Sequence, residues 1–162
     1  ISLGPSNCRA SEETLEAIQS ADLVVMGPGS LYTSIIPNLL IKDIVSAILE
    51  SDAYKVFIIN AMTQPGETES YTAEDHLRAL ISHTEPGIID ACYVNMQSIP
   101  KSVLDRYRDS HSYPVEVDMA KIREQGYEVV GGEILRIDNQ VRHDPAKLAK
   151  GIIDLYFDIL RR

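Results

Sequence analysis

Short apolar runs rich in valine and isoleucine recur along the chain, at residues 23–26, 56–60, 88–95, 115–117 and 127–130. Between them stand segments whose apolar residues fall at helical spacing. Regular alternation of this kind predicts consecutive βα units around a parallel sheet. The first three runs are apolar without alternation, as strands covered on both faces tend to be. The expected class is therefore α/β, a parallel sheet with helices on both faces. At 162 residues the chain fits a single α/β domain, 1–162.

The helix boundaries carry their own signals. Ser11 followed by Glu12 and Glu13, Thr72 with Asp75, and Asp118 each read as an N-cap, and Gly126 suits the left-handed position that closes a helix. Asp144-Pro145 opens the last helix, on which Leu148, Ile152, Leu155 and Ile159 share one face. The stretch between the second run and its following helix, residues 61–71 (AMTQPGETESY), exceeds the usual two to six residues of a βα loop. In open α/β sheets ligands bind beyond the carboxyl ends of the strands, where such loops gather.

Charge and cysteine usage narrow the partners. With 15 basic against 24 acidic residues the formal charge is −9, a field that repels nucleic acid and acidic lipid surfaces. Cys8 and Cys92 are far apart in no CxxC pair, so neither a disulfide framework nor a zinc knuckle is expected, and a reducing, cytoplasmic setting fits. No apolar run approaches the roughly 20 residues of a membrane span. His76 and His83 lie seven apart with no third ligand at a useful offset, so no metal site is expected and both read as surface or packing residues. Cys8 has only Arg9 beside it and no base, which argues against an activated thiol.

Three stretches can carry ligand chemistry. In DLVVMGPGSLYTSIIPNLL, residues 22–40, Gly27 and Gly29 let the backbone approach a ligand, and a branched residue at Gly29 would block that approach and resist a positive φ. Successive N–H groups there, with the hydroxyls of Ser30, Thr33 and Ser34, form an anion cradle before a helix. A plain glycine turn with hydroxyls capping the helix explains the same residues. Asn60 and Asn95 each end a strand, where an amide serves a base or sugar, or merely closes a turn. In VRHDP, Arg142 and His143 precede a helix N-terminus, so a guanidinium and a helix dipole converge on one diphosphate unless Arg142 is an ordinary surface charge. Tyr107, between Arg106 and Arg108, can stack on a base or pack in the core.

Taken together, ADLVVMGPGSLYTSIIPNLL, MTQPGETESYTAEDH and VRHDP resemble the bacterial gluconeogenesis-factor family (YvcK-like proteins), relatives of 2-phospho-L-lactate transferase. The resemblance implies a Rossmann-like fold holding a nucleotide diphosphate: a nucleotide-sugar such as UDP-N-acetylglucosamine in the factors, a guanosine nucleotide with a deazaflavin precursor and magnesium in the transferases. By matching motif, Gly27, Gly29, Ser30, Leu31 and Thr33 would face the phosphates. Asn60 and the 62–68 loop, Thr63 among it, would line the same cleft, with Tyr107 and Arg142 as nucleotide-sugar contacts. The family's glycine-rich first strand and acidic metal-binding stretch do not occur here, so the chain reads as a C-terminal half and any magnesium would come with the other half. The expected function is a binding and regulatory factor for growth on gluconeogenic carbon and for cell shape, compatible with a homo-oligomer. The alternative is a transferase moving a phospholactyl-type group.

Overall fold

The computed structural model describes residues 1–4 and 7–161. Four parallel strands form one sheet in the order β1 (Leu23–Met26), β2 (Tyr54–Ile58), β3 (Ala91–Asn95) and β4 (Glu128–Gly132). Register follows Leu23 opposite Tyr54, Val56 opposite Ala91, and Ala91 opposite Glu128. Helix α1 (Glu12–Gln19) leads into β1. A π-helical turn, Leu31–Ile35, runs into α2 (Ile36–Leu39), and α3 (Lys42–Glu50) completes the first crossover. Helix α4 (Ala73–Ser82) joins β2 to β3, while α5 (Lys101–Tyr107) and α6 (Met119–Glu124) join β3 to β4. A small antiparallel hairpin, β5 (Leu135–Ile137) and β6 (Val141–His143), precedes α7 (Pro145–Leu160).

Sequential strand order with right-handed crossovers sends α2, α3, α4 and α6 to the same face. Period-two alternation divides the strand side chains accordingly. Phe57, Ile59, Cys92, Val94 and Val129 pack against Leu31, Ile36 and Leu39, Ile48 of α3, Leu77 and Leu80 of α4 and Ile122 of α6. Val56, Ile58 and Tyr93 point the other way, where Leu148, Ile152 and Leu155 of α7 cover them. The fold is α/β with helices on both faces, unequally shared.

The caps form as the sequence predicts. Ser11 accepts from Thr14 N–H, Thr72 and Asp75 make a reciprocal capping box, and Asp118 and Asp144 each take two first-turn N–H groups. Gly126, at φ 89°, follows α6. Three expectations need correction. The second run sits two residues earlier than expected, and Ile88 and Ile89 are buried in the loop before β3 rather than within it. The 115–117 run is not a strand of the sheet: its neighbour Pro114 makes a single antiparallel bridge with Met62, and Val115 N–H donates to Ala61 O at 3.0 Å. The β5–β6 hairpin, built from three-residue strands, was not expected. Among the described residues no single helix is long and apolar enough to cross a membrane.

Candidate functional site

The loops that leave the carboxyl ends of β1 and β2 meet the β5–β6 hairpin around a cavity of about 450 Å3. One wall is Pro28, Gly29 and Ser30, the floor Asn60, Met62 and Gln64, and the opposite wall Arg142 and His143. Gly27, at φ 97°, turns the chain out of β1, and a side chain there would press on Ile35 Cδ1 and Ile58 O, each at 3.2 Å. Gly29 has no positive φ; a Cβ there would lie 3.2 Å from Ser34 Cβ, a tight contact that Ser34 would have to yield to. The helix begins immediately afterwards. Ser34 and Ile35 N–H both donate to Ser30 O, at 2.9 and 3.0 Å, so the helix opens directly behind Ser30, with Leu31 fully buried beneath it.

Amides hold the loop in this shape. Asn60 Nδ2 donates to Gly29 O at 2.9 Å and to Gln64 Oε1 at 3.2 Å, and Gln64 Nε2 donates to Ser30 Oγ at 2.8 Å. Gln64 N–H in turn donates to the buried Thr68 hydroxyl at 2.9 Å, which folds the long loop back on itself. Gln64 is the residue that reading the sequence did not single out. Its signal was the unusual length of its loop and its place four residues after Asn60.

Across the cavity, Arg142 stands on β6 directly opposite Arg136 of β5. Arg136 is satisfied by Asp138, 3.5 Å away. Among the described residues Arg142 makes no direct hydrogen bond or ion pair, though the Asp138 carboxylate interacts with it at longer range, and it is exposed to the cavity it lines. Tyr107 positions this strand: its hydroxyl accepts from Val141 N–H at 2.7 Å, while Arg106 donates to Asp138 O at 3.0 Å. Burial holds the His143 imidazole below its ordinary pKa, opposed by a bond to the Ile59 carbonyl. The side chain that lines the cavity is therefore neutral near pH 7.

The chain's residues 1–135 match the model of the family described as 2-phospho-L-lactate transferase CofD. The chain belongs to the CofD family. It is 43% identical over 154 residues to the gluconeogenesis factor of Bacillus subtilis, covering 94% of this chain and 49% of that protein. It is 42% identical over 153 residues to the gluconeogenesis factor of Halalkalibacterium halodurans, covering 94% and 48%. A crystal structure of a protein from Bacillus halodurans superposes with a TM-score of 0.91 at 41% identity, covering 94% of this chain and 49% of that one. The chain thus spans about half the length of the relatives it matches.

Within this CofD-family chain the expected site residues separate into groups. Gly29, Ser30, Asn60 and Arg142 come together around the cavity, and Gly27 shapes its rim. Leu31 is fully buried, backbone included, and packs in the core rather than facing the cavity. The Thr33 hydroxyl donates to Glu67 Oε1 at 3.0 Å, which turns it toward the loop. Thr63 is buried, and its Oγ1 accepts from Tyr113 N–H at 2.9 Å, so it anchors the 112–114 segment rather than the cavity. Tyr107 acts on the hairpin. The Asn95 amide is closed on Gln97 backbone, the turn alternative. The dipole expected behind Arg142 is already answered, because the Asp144 carboxylate accepts from Ala146 and Lys147 N–H at 3.0 and 3.1 Å. His76, expected at the surface or in packing, is a core residue, 1% exposed, while the Cys92 thiol is buried and pushed up to about 12. Among the described residues no carboxylate lines the cavity, and no three His, Cys, Asp or Glu side chains are grouped to hold a metal.

Proposed function

We propose that this cavity binds the diphosphate of a nucleotide-sugar, UDP-N-acetylglucosamine being the type, and that the protein acts as a cytoplasmic gluconeogenesis factor. The observation that carries the reading is that the Arg142 guanidinium faces the Gly29–Ser30 turn across one cavity, where the Ser30 oxygen accepts from Gln64 and its proton is left to donate. A guanidinium makes two parallel charge-assisted bonds to phosphate oxygens, and a glycine turn with a hydroxyl donor complements the same charge. The relatives' name, gluconeogenesis factor, supports the physiological half, a role in growth on gluconeogenic carbon, and an effect on cell shape belongs to the same proposal.

The transferase reading rests on the family model, which is described by that activity. It places an activated nucleotide in the same cavity and differs in consuming it.

A thermal-shift panel of nucleotides and UDP-sugars tests both. A ligand at about 100 times its Kd adds roughly 2.7 kcal/mol to stability. Stabilisation by a UDP-sugar that is recovered intact supports the binding factor, and release of the nucleotide supports the transferase. A flat response to every nucleotide removes both.

A further inference from the structure

Helix α7 is apolar on two faces. Leu148, Ile152 and Leu155 are buried against the sheet. On the opposite side Ala146, Ala149, Ile153, Phe157 and Leu160, three or four residues apart, form a second stripe, and all five are exposed. Ile153, Phe157 and Leu160 are 51, 51 and 62% exposed, and the half-buried Tyr156 packs beside Phe157 with ring centroids 6.1 Å apart. Other large exposed apolar side chains, such as Leu49, Met96 and Tyr113, are scattered over separate elements, which is ordinary for a surface. At 1.5 Å per residue the α7 stripe is about 21 Å long, and a contiguous apolar band of that kind marks a contact surface.

The charges beside the stripe select what covers it. Lys147, Lys150, Asp154 and Asp158 all lie along one flank, the lysines before Ile153 and the aspartates after it. A membrane surface suits neither those aspartates nor a net charge of −9. A second copy of the same helix, laid antiparallel with a two-fold axis at Ile153, matches in size and in charge. Ala146 of one copy then meets Leu160 of the other, and Ala149 meets Phe157, small against large. An antiparallel pair also brings like flanks together in reverse order. Lys150 therefore falls between Asp154 and Asp158 of the second copy, and Lys147 falls beside its Asp158. A parallel pair would lay the same four charges against Tyr156 and Ala149 instead.

We propose that this face of α7 is a two-fold interface between copies of the protein. None of its residues lines the ligand cavity, so the interface is independent of the diphosphate reading. A contact of one helix per copy is small beside the roughly 800 Å2 per partner of a standard interface, and the dimer should dissociate on dilution.

Sedimentation velocity of the intact protein over roughly 1–200 µM should show a monomer–dimer equilibrium. Ile153→Asp sets two carboxylates at the axis and should raise the dissociation constant at least about tenfold, while melting temperature shows that the variant is folded. Charge exchange supplies a second reading. Lys150→Glu alone should weaken the dimer about three- to tenfold, and so should Asp154→Lys with Asp158→Lys. All three together should restore it to within about twofold, a rescue that damage to the fold would not produce. An intact protein that stays monomeric throughout the range overturns the proposal, whether the face is then found bare or covered by another segment of the polypeptide. A dimer indifferent to Ile153→Asp and to the charge exchange overturns it as well.

Discussion

Arg142 faces Arg136 across a two-stranded hairpin, a like-charge pair that is unfavourable in itself and is partly offset by the Asp138 carboxylate, which interacts with both guanidiniums. An anion in the cavity would relieve it. Arg142→Ala should therefore weaken nucleotide-sugar binding by about 1.5–3 kcal/mol, the usual worth of a bond to a charged group, while the melting temperature of the unliganded protein stays level or rises slightly. Lys should recover only part, because it keeps the charge and loses the fork. Equal affinity for wild type and Ala, measured by calorimetry, would make Arg142 a surface charge only. Tyr107 acts one step back. Tyr107→Phe removes the hydroxyl that accepts from Val141 N–H, so it should cost about 0.5–1.5 kcal/mol of stability and speed hydrogen exchange at that amide, with a smaller loss of binding than Arg142→Ala. Placement was partly legible from residue type: Gly29, Ser30 and Arg142 do meet at one cavity. That of Thr63 was not, because its partner Tyr113 is 50 residues away and nothing local marks it.

Among the elements, the long apolar strands and the capped helices were readable because burial on both faces and N-cap chemistry leave local marks. The hairpin was not, since each strand has three residues and carries an arginine at its centre, Arg136 or Arg142. The 115–117 run misled for the opposite reason: its valines are suited to strands, but they serve to bury an extended connector against the sheet's helical face. Helix α7 contains a residue that its propensity argues against. Gly151 lies against the hydroxyl end of Tyr93, where a Cβ would collide with the ring, and Gly132 abuts the same ring from β4. Helix propensity alone predicts that Gly151→Ala stabilises by about 1 kcal/mol. The packing predicts a loss of about 1–3 kcal/mol instead, because the Tyr93 ring is buried and cannot swing away. Urea denaturation of the variant distinguishes the two signs.

At the scale of the whole molecule, two imidazoles couple stability to pH. His76 Nδ1 lies 2.8 Å from Thr72 O, and its Nε2 is buried with no partner, as is His143 Nε2. Burial lowers both pKa values, opposed at His76 by the Thr72 carbonyl and Asp75. The unfolded chain takes up these protons near pH 6.5 and the folded one only below that, so the unfolded state binds more protons across the intervening window. Stability should be level above about pH 7 with respect to these groups, and should fall as the pH drops below 6.5 toward the depressed folded values. His76→Phe should remove part of that slope in denaturation curves taken between pH 5 and 7; an unchanged slope would show that His76 is not protonated on unfolding.

The unequal sharing of the sheet's two faces also sets an order of events during synthesis. Every helix that covers the first face is made before β4 is finished, whereas Val56, Ile58 and Tyr93 wait for α7. At roughly 5–20 residues per second the ribosome needs on the order of a few seconds to pass from Gly132 to Leu160. For that interval the nascent chain carries a nearly finished sheet with one greasy side bare. That is when a chaperone has something to hold.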